Sequence, residues 1–343
     1  MNVNENQSAA DPQIDITATH VTRQWKYDSP FTACRFDPTG RYVFAAAQDR
    51  TIQRWNLDTD EHSTLAGHDS WLRAIAFSPD GQHVYTAGYD GQLLFWNAAE
   101  ADPKPTKTIA AHDGWVRWLS TSPDGNILAT AGNDNLVKLW SAESGELMRT
   151  LAGHEGHVYS TMFHPQGELL LSGDLLGVVH QWEVATGKLV RSFDAKDLHT
   201  YHGGQGAHYG GVRSMSLSPD NKSLACSGLH KATNPFGAVQ EPLLVVFDWE
   251  SGKKLRSHEA NGIDRGIAWR VIYHPSGHLI GAAGGGSGGF IVFWKGEEAN
   301  EIHKFKLPNT ALDLDLHPNT VDLVTVHHDR HVRISRMQKE QKT

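Results

Sequence analysis

Gly67-His68-Asp69-Ser70-Trp71-Leu72-Arg73-Ala74-Ile75-Ala76-Phe77-Ser78-Pro79-Asp80-Gly81 leads from a Gly-His pair through a short apolar segment into a tight turn, and Trp96 follows 17 residues after Pro79. Proline presets φ and Asp-Gly supplies the rest of the turn geometry, so this stretch reads as two short strands joined by a hairpin. The turn recurs around Pro38, Pro123, Pro165, Pro219, Pro275 and Pro318. The large aromatic recurs as Trp55, Trp140, Trp182, Phe247 and Trp294, with Ser335 in the seventh place. The interval is again 17 residues in four further units and lengthens to 28 in the fifth and 19 in the sixth. Two markers held in register seven times define a repeat.

Between the markers, stretches such as Ile52-Gln53-Arg54-Trp55 alternate apolar and polar residues, the two-residue period of a strand. Each unit holds four short strands. A lone four-stranded sheet cannot bury both of its faces, so the units must stack on one another. The fold class is all-β: a seven-bladed propeller of four-stranded antiparallel blades.

Gly67-His68, Ala111-His112, Gly153-His154 and Ala207-His208, each ahead of a first strand, resemble the signature of the WD40-repeat family over residues 13–337. The resemblance implies a closed ring around a narrow channel, with a buried His, Ser/Thr, Asp, Trp tetrad in each regular blade. That tetrad maps onto His68, Thr86, Asp90, Trp96 and onto His112, Thr130, Asp134, Trp140. A buried carboxylate is costly unless satisfied, so these groups read as structural, not catalytic. Blade 4 keeps His154, Ser172 and Trp182 but has Leu176 in the Asp position. Blade 5 keeps His208 and puts Cys226 in the hydroxyl position; blade 1 has Tyr27 for the His and Ala45 for the hydroxyl. Blades 6 and 7 lack the His, although blade 7 retains Thr325 and Asp329.

Blade 7 ends near Met337 without an outer strand. Residues 20–28, which align with the outer strand of blade 3, are expected to supply it and close the ring. The expected blades are 29–68, 69–112, 113–154, 155–208, 209–260, 261–308 and 309–337, flanked by disordered tails at 1–12 and 338–343.

By the same resemblance, the loops before the first strand and between the second and third strands share one face. Insertions at 194–211 and 228–241 enlarge that face around blade 5. Residues at the start of the first strands also reach it: Trp71, Arg73 and Tyr89 in blade 2, Trp115, Arg117 and Asn133 in blade 3, His157 and Tyr159 in blade 4, Arg213 in blade 5, and Trp269 in blade 6. Trp, Tyr and Arg are enriched at binding hot spots, and Trp-x-Arg repeats in adjacent blades. The bland alternative is that each Trp packs over the next blade. The favoured reading is a non-catalytic scaffold binding a protein or peptide with acidic or aromatic contact residues, monomeric by itself and able to sit in a larger complex.

The rival reading is a small-ligand receptor or metal-dependent enzyme at the channel mouth, beneath the insertions, using His199, His202, His208 and His230. That spacing fits no standard zinc motif, and Gly203–Gly206 and Gly284–Gly289 fit no phosphate-binding loop, so neither metal nor cofactor is expected. The net charge of −8 argues against a nucleic-acid partner. Met1–Ala18 lacks the features of a secretory signal, no apolar run is long enough to span a bilayer, and Cys34 and Cys226 fall in different blades. These features point to a cytoplasmic chain free of membranes.

Overall fold

A computed structural model of the chain describes residues 14–233 and 239–340. Seven four-stranded antiparallel sheets and one two-stranded hairpin account for its strands. The first strands of the seven sheets are Phe31–Phe36, Leu72–Phe77, Val116–Thr121, Val158–Phe163, Ser214–Leu217, Ile267–Tyr273 and Ala311–Leu316. Each touches the next, and the last touches the first, so they form the inner wall of a seven-bladed propeller. Cores lie between blades: Phe44, Ile52 and Leu65 of blade 1 interleave with Leu72, Ile75, Leu94 and Trp96 of blade 2.

The seven turns share one backbone feature. Gly40, Gly81, Gly125, Gly167, Asn221, Gly277 and Thr320 all have positive φ, between 57° and 82°. Glycine adopts that conformation without a Cβ penalty, which is why five of the seven are glycine.

In blade 2, Trp96 Nε1 donates to Thr86 Oγ1 at 2.8 Å, Thr86 bonds His68 Nε2 at 2.9 Å, and His68 Nδ1 lies 2.7 Å from Asp90. One tautomer satisfies the whole relay: Nδ1–H donates to the carboxylate while Nε2 accepts the hydroxyl proton. Blade 3 repeats it through Trp140, Thr130, His112 and Asp134. Burial alone would raise the Asp90 carboxyl, yet the bond from His68 and backbone N–H donors hold it below its usual value.

Three blades correct the sequence reading. In blade 4 the carboxylate is present after all. Asp174, not position 176, bonds His154 Nδ1 at 2.9 Å, while Ser172 joins His154 Nε2 at 2.7 Å and Trp182 Nε1 at 2.8 Å. Asp174 lies two residues beyond Ser172 on one strand, so both side chains face the same way. In blade 5, His208 joins no tetrad; it stands on the hairpin of His199–His202 and Ala207–Gly210, where it bonds His199 at 2.9 Å. Blade 7 replaces the missing loop histidine with His327, which bonds Thr325 at 2.9 Å from the same strand, while Asp329 pairs with Arg333 at 2.6 Å. In blade 1, Tyr27 donates to Asp49 at 2.8 Å.

His20–Lys26 pairs antiparallel with His331–Arg336 as the outer strand of blade 7. Its Trp25 stacks on Trp55 of blade 1 at 5.3 Å and donates to Asp60 at 2.8 Å. The 194–211 insertion is a short 3-10 turn, Lys196–Leu198, followed by that hairpin. It is tied down at its base, where Leu198 and Val212 are fully buried and Gly211 N–H donates to Leu198 at 2.7 Å. A Cβ on Gly210 would fall 2.0 Å from the Leu198 carbonyl oxygen, so this return needs glycine. Cys34 and Cys226 are buried free thiols. Among the described residues no helix is long and apolar enough to cross a membrane. The 1–12 tail, the end of the 338–343 tail and the middle of the 228–241 insertion lie outside the described residues.

Candidate functional site

A β-bulge decides which way the residues at the start of the inner strands point. In six blades the pairing of the first and second strands skips one residue: Thr32, Arg73, Arg117, Tyr159, Trp269 and Leu312. In blade 5, Arg213 takes the equivalent place, just ahead of the first paired residue, Ser214. A bulged residue is released from the alternation of the strand, so its side chain is re-aimed.

Five of these seven residues form one alternating network of cations and rings. The Arg117 guanidinium carbon lies 4.6 Å from the ring centroid of Trp115, 5.3 Å from Tyr89 and 5.1 Å from Tyr159. Arg213 lies 4.4 Å from the same Tyr159 and 5.5 Å from Trp269, and Arg73 reaches Trp269 from blade 2 at 5.3 Å. Tyr89 stacks on Trp115 at 4.1 Å with 8° between planes, and Trp71 flanks Tyr89 at 6.4 Å. Asn133 accepts from Arg117 Nε at 2.7 Å and fixes that fork. Trp71 and Trp115 remain 47% and 41% exposed, too open for core packing, although Tyr89 covers one face of Trp115. His157 stands apart from the network, bonded to Asn135 at 3.1 Å.

Beneath this layer, a cavity of about 470 Å³ is lined from all seven inner strands, among others by Arg35, Trp118, Ser120, Met162, Arg270 and Asp315. Arg35 and Asp313 pair at 2.7 Å, and Arg270 lies 4.7 Å over the Trp118 ring. Burial, with Arg35 beside it, pulls Arg270 down to about 10. Burial also raises the Asp315 carboxyl, whereas Asp313 is held low, against its own burial, by Arg35 and Arg270. Sequence reasoning missed this layer. Its signal was charge at alternate positions of otherwise apolar strands, as in Asp313-Leu314-Asp315.

The family profile described as WD domain, G-beta repeat matches residues 21–56, 60–97, 103–141 and 145–183. The chain carries four WD40 repeats within a seven-bladed propeller. Each matched WD40 unit starts with the outer strand of one blade and continues through the three inner strands of the next. The first unit therefore begins in the strand that pairs with the last blade. Blades 5 and 6 and the three inner strands of blade 7 lie beyond the matched residues, and they carry the inserted hairpin and the displaced histidines. No curated protein matches the chain significantly.

The histidines of the rival reading do not assemble. His199 and His208 bond one another, His230 lies 3.6 Å from Glu241, and among the described residues no three His, Cys, Asp or Glu side chains are grouped to hold a metal.

Proposed function

We propose that this WD40 propeller is a non-catalytic platform that binds a protein or peptide partner at its channel mouth. The observation that carries this reading is the continuous surface of Trp71, Tyr89, Trp115, Arg117, Tyr159, Arg213, Trp269 and Arg73, which links blades 2 to 6 through cation–π contacts. Rigid aromatic rings supply contact area at little entropic cost, and guanidinium groups add directional donors. The inserted hairpin of 199–210 stands beside blade 5 and exposes Tyr201, so it extends the same face.

Thermal melting and partner capture, measured together on Trp71→Ala, Trp115→Ala and the Arg73→Glu/Arg117→Glu double variant, test this. Folded variants that lose the partner support the platform. Folded variants that capture every partner of the wild-type protein refute it at this face.

A further inference from the structure

We propose that the three arginines at the channel mouth form an oxyanion site, and that the group they take is a carboxylate or phosphate carried on the bound peptide. The inference rests on the platform reading and adds the chemistry of the contact.

Arg73, Arg117 and Arg213 come from three blades and converge on two shared rings. Arg213 and Arg117 both cover Tyr159, and Arg213 and Arg73 both cover Trp269. Among the described residues none of the three forms an ion pair. Arg73 donates to the Thr32 carbonyl, and Arg117 donates to Asn133 and to the Tyr89 hydroxyl. The Arg213 guanidinium makes no hydrogen bond among the described residues, and its buried Nε has no partner. Burial, together with the charges of Arg73 and Arg117, holds Arg213 below the ordinary guanidinium value. One layer down, Asp313 also feels Arg73, but its carboxylate is taken by Arg35 at 2.7 Å and by the Cys34 N–H at 3.1 Å.

Elsewhere buried arginines are satisfied within the fold: Arg35 has Asp313, Arg333 has Asp329, and Arg54 donates to Ser63 and to the carbonyls of Ala98 and Glu100. A chain of net charge −8 that gathers three unpaired guanidinium groups at one mouth leaves a site for an incoming anion. Carboxylates and phosphates match the guanidinium fork two oxygens at a time. Exposed Trp71 and Trp115 beside the arginines favour an anion borne on a peptide over a free ion, because a free ion would leave those rings unused.

The test is a titration of the full chain with peptides of randomised flanks centred on Ser, Glu or phosphoserine. Inorganic phosphate alone and phosphoinositide vesicles serve as separate arms. Glu- or phosphoserine-centred peptides should bind about tenfold or more tightly than Ser-centred ones. That preference should vanish in Arg213→Gln, survive in part in Arg213→Lys, and weaken with added salt. If Arg213→Gln does not fold, the Arg73→Gln/Arg117→Gln pair carries the same expectation. Equal binding of all three peptides, lost in Trp71→Ala, would overturn the oxyanion site and leave the platform standing. Inorganic phosphate binding as tightly as the best peptide, or binding confined to vesicles, overturns the peptide-borne anion. Binding of no probe overturns the site, and binding indifferent to Trp71→Ala and Trp115→Ala overturns the platform itself.

Discussion

The guanidinium carbon of Arg73, in blade 2, lies 5.3 Å from the ring centroid of Trp269, in blade 6, so one contact bridges blades that are not neighbours. Both residues occupy the bulged position of their inner strands. A double-mutant cycle on Arg73→Ala and Trp269→Ala, read by denaturant unfolding, should return a coupling of about 0.5–2 kcal/mol. Strict additivity would mean that the bridge contributes nothing.

The mouth tryptophans and the tetrad tryptophans should behave oppositely. Trp96 is fully buried and bonded to Thr86, so Trp96→Ala should cost about 3–5 kcal/mol. Trp71 is nearly half exposed, and Trp71→Ala should cost under about 1 kcal/mol. Comparable losses in the two melts would place Trp71 in the core.

Blade 4 offers a test of the relocated carboxylate. Asp174→Ala leaves His154 and the N–H groups of Leu176 and Val178 without an acceptor, and we expect a loss of about 2–3 kcal/mol. His208→Ala removes only an exposed hairpin contact and should stay within about 0.5 kcal/mol of wild type. The reverse ranking would restore His208 to a tetrad.

The outer strand of blade 7 comes from the far end of the chain. We expect that deleting residues 1–28 bares the edge of His331–Arg336 and removes the Trp25–Trp55 stack, giving aggregation or a large fall in Tm. A truncated protein that melts like the full chain would show that the ring holds without this strand.

His327 makes stability depend on pH. Burial, then the charge of Arg333, push its imidazole down to about 4, whereas an unfolded histidine titrates near 6.5. Between those values the unfolded chain binds the extra proton, so stability should fall as pH drops from about 6.5 to about 4, by roughly 3 kcal/mol in all. His327→Gln should flatten that slope in denaturant titrations at several pH values. A slope unchanged by the substitution would assign the acid sensitivity to other groups.

The repeat, its seven turns and its strand periodicity were legible in the sequence because each depends on neighbours in the chain. A proline fixes φ where it stands, a residue of positive φ ends the turn, and strand alternation has a period of two wherever one looks. The residues of the mouth were legible as types, Trp-x-Arg at the strand starts, but not as partners. Tertiary structure decided that Asp174 takes the place expected at position 176, because strand geometry and not alignment sets which side chain faces His154. It likewise moved His208 onto a hairpin and sank Arg35, Trp118, Arg270, Asp313 and Asp315 into the channel. Arg73 meets Trp269 only because seven twisted sheets curve into a ring and a bulge turns both side chains toward its mouth. That closeness belongs to the closed ring as a whole, and no local stretch of sequence encodes it.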